Sequence, residues 1–438
     1  MTIKKCYFKI VTLKQLLENS YLKIIKQEEV DVESPDIDLS NTRDKMSWSK
    51  RFVFKLLEQL SDTHIHLSDG GFDYHFGDSN ADVRAKITVV DRKVYQRVLL
   101  GGSIGAAEAY VEGLWYADNM TNVVRIFSRN IEKLKSYEKR FDLLTRPFNV
   151  IKHRLSSNSK SGSRTNIAAH YDLSNDMYRM FLDPHMQYSS AVYQNANDTL
   201  EEAQEHKMKL ICDYLVLTKE DHLLEVGTGW GGLACYAAKH YGCKVTTTTI
   251  SPSQFAIAET RIKTQDLKDK VTLLLEDYRD LTGQYSKIVS VEMIEAVGHK
   301  FMPTYFKVLD KLLKPGGKLL LQSITINDHR YEDYRKSVDF IQRYIFPGGH
   351  LPSLSLICDQ VKKHTTWYID HLDDFRLDYA VTLKEWRHRF LSHKAEILSL
   401  GFNEEFIRLW EYYFCYCEGG FREELIGLAH IGLVKCKH

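Results

Sequence analysis

A strand-like run, Leu223-Leu-Glu-Val226, opens onto Gly227-Thr-Gly-Trp-Gly-Gly232, and a stretch of mostly small residues with helical character, Leu233-Ala-Cys-Tyr-Ala-Ala238, follows. Strand, glycine turn and helix in that order constrain this chain more than any other feature. Glycines let backbone approach a ligand closely, and nucleotide-like cofactors bind at the carboxyl end of such a strand. The spacing of Gly227, Gly229 and Gly232 also fits the dinucleotide fingerprint. The loop therefore sets a cofactor class without choosing the cofactor.

The residues beyond 165 repeat this rhythm. Strand patterns at Leu223–Val226, Lys244–Ile250, Val271–Glu276, Lys287–Glu292 and Lys318–Ile326 alternate with helical stretches starting near Gly231, Pro252 and His299, and Pro315-Gly-Gly317 turns the chain into the fifth strand. This predicts an α/β fold with a doubly wound parallel sheet. Residues 35–130 read differently, with mixed segments at Phe72–Gly77 and Ala85–Val90 and helical patterns at Ser103–Tyr110 and Met120–Arg129. These predict a smaller N-terminal α+β domain. The expected division is an accessory domain over 1–150, a linker over 151–165 and a catalytic domain over 166–438.

Between Glu132 and Thr165 nine Lys or Arg residues face three acids, and the polar run Ser156-Ser-Asn-Ser-Lys-Ser-Gly-Ser163 closes the segment. The plain reading is a solvated helix and joint. The alternative is a cationic face for an anionic membrane surface, where each Lys or Arg contributes about 1 kcal/mol. A net charge of +1 over 438 residues argues against a nucleic-acid partner. The eight cysteines form no zinc spacing and read as thiols of a reducing compartment. With no signal-like N-terminus and no membrane-length apolar run, the expectation is a cytoplasmic protein.

A nicotinamide enzyme should place an Asp or Glu about 20 residues beyond the glycines to hold ribose hydroxyls. Between Glu225 and Glu259 there is no acid; the second strand ends in Thr246-Thr-Thr-Thr-Ile-Ser-Pro-Ser-Gln254. A P-loop is excluded because no Gly-Lys-Ser/Thr follows. What remains is a loop for an uncharged nucleoside with an amino-acid tail, with Asp277 available for an adenine amino group. S-adenosyl-L-methionine meets those needs, and no metal is called for.

Further motifs then carry a resemblance: Ala169-His-Tyr-Asp-Leu-Ser-Asn175, Phe181-Leu-Asp-Pro184, Met186-Gln-Tyr-Ser-Ser190, Thr249–Gln254, Val291-Glu-Met-Ile-Glu-Ala-Val-Gly298, Tyr344–Pro352, Tyr379–Trp386 and Cys417-Glu-Gly-Gly-Phe-Arg422. In this order, over residues 165–438, the chain resembles the cyclopropane-fatty-acyl-phospholipid synthase family, which includes the mycolic acid cyclopropane synthases. The resemblance implies a class I S-adenosylmethionine-dependent methyltransferase fold, Rossmann-like, with a mostly parallel seven-stranded sheet. It implies attack of a cis double bond in a membrane phospholipid acyl chain on the sulfonium methyl, then proton loss and closure to a cyclopropane. It also implies peripheral association with the inner face of the membrane, and family members are often homodimers.

By the same resemblance Tyr188, Ser189, Gly227, Thr228, Gly229, Thr249, Ile250, Ser251, Pro252, Ser253, Gln254, Asp277, Tyr278 and Val291 line the cofactor site. Aromatic faces such as Tyr188 and Trp230 suit a sulfonium, while packing beside the first helix equally accounts for Trp230. Family members hold a bicarbonate ion as base through a glutamate, a tyrosine, a histidine and a cysteine-bearing turn. Glu295 and Tyr379 match two of these positions; Ser190 stands where the cysteine is, and Gln322 where the histidine is. Glu295 is an alternative base if burial raises its pKa. Cys417 matches a cysteine long treated as catalytic, with a packed thiol as the other reading. His170 is expected to position a loop over the cofactor. The aromatic tail Phe402–Phe421 and Tyr344–Phe346 are candidates for an acyl tunnel. Alternatives to cyclopropanation are a methyl- or methylene-branched product, small-amine N-methylation, or a lipid-binding scaffold.

Overall fold

The computed structural model describes residues 47–134 and 174–438. Most of the basic joint, the 151–165 linker and His170 lie outside the described residues.

Five parallel strands form the centre of the larger sheet: β5 (His222–Val226), β6 (Lys244–Thr248), β7 (Val271–Leu274), β8 (Tyr285–Val291) and β9 (Leu313–Ile326). Two antiparallel strands, β10 (Trp367–Asp374) and β11 (Ile426–Lys435), complete the order β10-β11-β9-β8-β5-β6-β7. Each of the five central strands overlaps its predicted segment. Both faces of the sheet are buried, so the strands read as continuous apolar runs. Leu224, Val226, Ile288, Leu319 and Leu321 belong to the core on one face, and Leu223, Val245, Val289 and Leu320 to the core on the other. The chain winds from β5 outward through β6 and β7, then returns to β8 on the other side of β5. The carboxyl ends of β5 and β8 therefore flank the switch point, where doubly wound sheets bind ligands.

The N-terminal sheet has the order β2-β1-β3-β4, with β1 (His64–Asp69) parallel to β3 (Arg84–Val89) and β2 (Phe72–Gly77) and β4 (Trp115–Ala117) antiparallel at the edges. Its helices are α1 (Trp48–Leu57), α2 (Lys93–Val111) and α3 (Met120–Arg129). In the larger part α4 (Asn175–Phe181), α5 (Leu200–Leu215), α6 (Gly232–His240), α7 (Pro252–Thr264) and α8 (Met302–Leu312) are followed by α9 (Asp328–Tyr334), α10 (Phe340–Tyr344), α11 (Leu354–His364), α12 (Arg376–Ser392), α13 (Lys394–Ser399) and α14 (Glu404–Arg422). Strands β1, β4, β10 and β11 and helices α1, α4, α5 and α9 to α14 were not located in the sequence, although the seven-stranded sheet as a whole was implied by the resemblance. The described residues, 47–134 and 174–438, belong to one compact unit.

The two sheets are joined by α3 lying against α14. A Cβ on Gly419 would stand 2.6 Å from Val124 Cγ1, so the two helices approach to backbone-to-side-chain contact there. Around this contact Thr121 donates to Glu418 at 2.9 Å, and Arg125 and Arg129 each donate to Glu423 at 2.6 Å. The Cys417–Arg422 motif is thus partly a docking surface for the smaller sheet. Gly419→Ala is expected to overpack this seam and cost about 1–3 kcal/mol. Urea denaturation would show a lower midpoint, and adding Val124→Ala would restore most of it.

Candidate active site

At the end of β5 the backbone turns left-handed three times, at Gly227 (φ 102°), Gly229 (φ 53°) and Gly231 (φ 82°). The amides of Gly227 and Thr228 donate to Thr248 O at 3.2 and 2.9 Å, tying the loop to the end of β6. A Cβ on Gly229 would meet nothing within 4 Å, so the loop borders open space there. That cradle fits a nucleoside cofactor.

The hydroxyl-rich turn after β6 is largely satisfied within itself. Ser251 caps α7 by accepting from Gln254 N at 3.2 Å, with Pro252 in the first turn, where its missing N–H costs nothing. Thr249 Oγ1 donates to Gln254 Oε1 at 2.9 Å and accepts from Ser251 N at 3.1 Å, and Ser253 Oγ accepts from Asn175 at 2.8 Å. Thr228 and Thr247 hydroxyls meet at 2.6 Å, and Thr247 donates to the buried Glu225 at 2.5 Å. Asp277 takes both its oxygens to Arg279, at 2.7 and 2.6 Å. Ile250 follows β6, Pro252 opens α7, Tyr278 follows Asp277 and Val291 ends β8. Trp230 is buried, donates to Asn175 at 2.8 Å and packs against Tyr178. Its packing role is what the structure displays.

Beneath the glycine loop lies a polar floor. A Cβ on Gly227 would sit 3.3 Å from Met293, so the turn after β8 passes directly under the loop. The residue before Met293 is Glu292, held at φ 47°. This conformation costs an L-residue roughly 1–2 kcal/mol. Its amide continues the ladder to Gln322 O at 2.8 Å. Its carboxylate accepts three hydrogen bonds: from Ser190 N at 2.9 Å, from Gln322 Nε2 at 2.8 Å and from the Tyr379 hydroxyl at 2.7 Å. These donors come from the loop before α5, from β9 and from α12. Gln322 is oriented from behind, because His430 on β11 meets its Oε1 at 2.9 Å. Burial drives the His430 pKa down to about 3 and keeps the ring neutral.

Glu295 sits one turn on. Its Oε1 accepts from Ile324 N at 2.6 Å and from Ser323 Oγ at 3.2 Å, while its Oε2 is buried without a partner. Burial, reinforced by the charge of Glu292, pushes its pKa up to about 8. Burial also raises Glu292, but its three donors oppose the shift. With three donors on Glu292 and one oxygen of Glu295 left unpartnered, the hydrogen bonding favours the charge on Glu292 and the proton on Glu295. Lys207 from α5 is fully buried, donates to Ser189 Oγ at 2.8 Å and faces this charge. Desolvation lowers its pKa to about 8.

An aromatic wall borders the floor. The hydroxyls of Tyr188 and Tyr413 meet at 3.1 Å, and the Tyr188 ring lies 5.3 Å from Trp386 and 6.4 Å from Phe346. Tyr379 stacks on Phe421 at 4.6 Å. Trp410 and Phe414 of the aromatic tail instead pack with Phe181 and Phe390 in the core. Cys417 is on the same helix, with burial raising its thiol pKa far above the usual range.

The structure thus brings Ser190, Gln322 and Tyr379 together on Glu292, with Glu295 one turn away. It adds Glu292, Lys207 and His430, which sequence reasoning missed. The signal for Glu292 was the pair of glutamates three apart immediately after a strand, in Val291-Glu-Met-Ile-Glu295.

Residues 158–431 match the mycolic acid cyclopropane synthetase family model. The chain is 36% identical to the tuberculostearic acid methyltransferase UfaA1 of Mycobacterium tuberculosis, over 81% of this chain and 84% of that protein. It is 38% identical to the cyclopropane-fatty-acyl-phospholipid synthase of Escherichia coli, over 81% of this chain and 88% of the relative. Among solved structures, the cyclopropane synthase MmaA2 of Mycobacterium tuberculosis superposes with a TM-score of 0.59 at 30% identity, covering 62% of this chain and 98% of that one. These matches show that the protein belongs to the mycolic acid cyclopropane synthetase family.

Proposed function

We propose that the protein is an S-adenosylmethionine-dependent methyltransferase that adds one carbon to the cis double bond of an unsaturated acyl chain in a membrane phospholipid and closes a cyclopropane. The observation that carries this reading is the floor itself: a charged carboxylate and a tyrosine hydroxyl set under the glycine loop and walled by aromatic rings. When bound, the cofactor supplies an electrophilic methyl on a sulfonium. The glycine loop would take its backbone, and the Tyr188 face would stand against its charge. The aromatic wall excludes water from the acyl chain, which protects a cationic product of methyl transfer from hydration.

The cationic stretch around 132–165 would meet anionic headgroups, which supports peripheral attachment, with residues 1–150 as the accessory portion and 166–438 as the catalytic one. Among the described residues no helix is long and apolar enough to cross a membrane. A second reading, a methylene-branched or still-unsaturated methyl-branched product from the same site, is favoured by the similarity to a tuberculostearic acid methyltransferase. Expression in a bacterial host lacking such an enzyme, followed by mass spectrometry of membrane fatty acids, separates the two. Gain of one CH₂ with ring-type fragmentation is expected. The same gain with branched-chain fragmentation selects the second reading, and no gain in any lipid overturns both.

The carbon transfer needs no thiolate, because the alkene itself attacks the methyl. Cys417, raised by burial, would then be a neutral thiol lining the site. Iodoacetamide at pH 8 is expected to label the exposed Cys358 and Cys436 well before Cys417, read by peptide mass spectrometry. Preferential labelling of Cys417 would return it to the role of nucleophile.

A further inference from the structure

The three donors on Glu292 are the groups through which the family resemblance would hold a bicarbonate ion: the turn at Ser190, the side chain of Gln322 and the hydroxyl of Tyr379. A bicarbonate would need the same hydrogen bonds at the same place. They are already made, at 2.7–2.9 Å, by a carboxylate that belongs to the chain. The remaining member of that set, Glu295, has its Oε1 fixed to Ile324 N and Ser323. A bound bicarbonate therefore does not fit this floor as it stands.

We propose that Glu292 takes the anion's place and is the catalytic base of this enzyme, a carboxylate built into the end of β8. The inference rests on the reading of the protein as an acyl-chain methyltransferase. Its geometry has three parts. The left-handed backbone at Glu292 is a conformation that side-chain-bearing residues adopt only when their surroundings over-determine it, and it turns the carboxylate onto the floor. The residue lies under the glycine loop, next to the Met293 side chain that Gly227 faces. As a residue Glu292 keeps partial exposure at the floor, so the site around it is not sealed from a reacting chain.

The step balances without another reactant. The π pair of the double bond forms the new C–C bond to the methyl, and the C–S pair stays on sulfur, leaving a carbocation on the acyl chain. A C–H bond of the added methyl then breaks; its pair closes the ring, and the proton passes to a Glu292 oxygen. Such a proton is strongly acidic, so the base need not be strong. It has to be placed, charged and dry, and the hydrogen bonds that lower its basicity also achieve that placement. The neighbouring groups agree with this assignment. Glu295 retains its own proton, Lys207 supplies the compensating positive charge, and His430 holds the amide of Gln322 so that its N–H₂ faces Glu292.

The test uses the full-length protein, S-adenosylmethionine and vesicles of unsaturated phosphatidylglycerol, in buffer stripped of carbon dioxide and in the same buffer with added bicarbonate. Wild-type turnover is expected to be the same in both. Glu292→Gln is expected to lose ~100-fold or more of kcat, the range of a general base. Its loss should exceed that of Glu295→Gln, and its cofactor affinity by calorimetry should stay near wild type. Glu292→Gly suits the left-handed backbone and clears a space facing the three donors; it is expected to be inactive in stripped buffer and to regain turnover with bicarbonate. Wild-type turnover that collapses on stripping and returns with bicarbonate would overturn the proposal, as would full activity of Glu292→Gln. In both of those results the CH₂-extended lipid still forms in wild type, whereas failure of the functional reading shows as no such lipid under any condition.

Discussion

One buried negative charge organises this site. The Glu292 carboxylate draws a backbone amide from the 186–190 turn, an amide side chain from β9 and a hydroxyl from α12 to a single point. Taking a carboxylate out of water costs several kcal/mol, and only complete hydrogen bonding with a compensating charge makes it tolerable. The surroundings meet both conditions. Three donors saturate Glu292, Lys207 brings a cation into the same interior, and the other titratable neighbours, Glu295 and His430, are left neutral. Removing any donor strands a charge, so the loop, the strand and the helix are bound to one another through it.

That charge also explains why elements far apart in sequence converge here. Gln322 is in register with Val291 on the parallel β8–β9 pair and with His430 on the antiparallel β9–β11 pair. The strand ladder, set by apolar packing on both faces, aligns His430, Gln322 and Glu292 in a row across the carboxyl end of the sheet. From the other direction α14 supplies Phe421 to stack on Tyr379, and its next face receives α3 of the smaller sheet through Gly419. The N-terminal part of the described structure thus braces the helix that backs Tyr379. It is not a separate attachment.

What could be read from the sequence follows from what is local. The five central strands overlapped their predicted segments because a doubly buried parallel strand is a short apolar run between turn residues, and helix α3 matched its predicted bounds because its apolar spacing is regular. Strands β10 and β11 escaped notice for opposite reasons. The first is a polar edge strand, Trp367-Tyr-Ile-Asp-His-Leu-Asp-Asp374, with little of it buried; the second follows a helix without a glycine or proline stop. At the site, the resemblance grouped Ser190, Glu295, Gln322 and Tyr379, and much of the hydroxyl array of Thr249–Gln254 is engaged within its own turn and in capping α7. Glu292 was passed over because a glutamate ending a strand ordinarily faces solvent. Only the left-handed turn, invisible in composition or periodicity, sends it inward.

A base carried on the backbone has a consequence that a diffusible ion lacks. After methyl transfer, protons on the added methyl and on the flanking chain carbons are all acidic, and the product depends on which C–H reaches the base first. Loss from the methyl itself closes the ring, or leaves a methylene branch once a 1,2-hydride shift has moved the cation to the methylated carbon; loss from a flanking carbon leaves a new double bond beside a methyl branch. A bound anion can shift within its donors, but the Glu292 oxygens are fixed by β8, by three hydrogen bonds and by a backbone conformation with little room to relax. Product choice then becomes a matter of how the aromatic wall of Tyr188, Phe346 and Trp386 sets the acyl chain against a stationary carboxylate. On that logic a small change in the depth at which the double bond lies against Glu292 is enough to exchange a ring for a branched product.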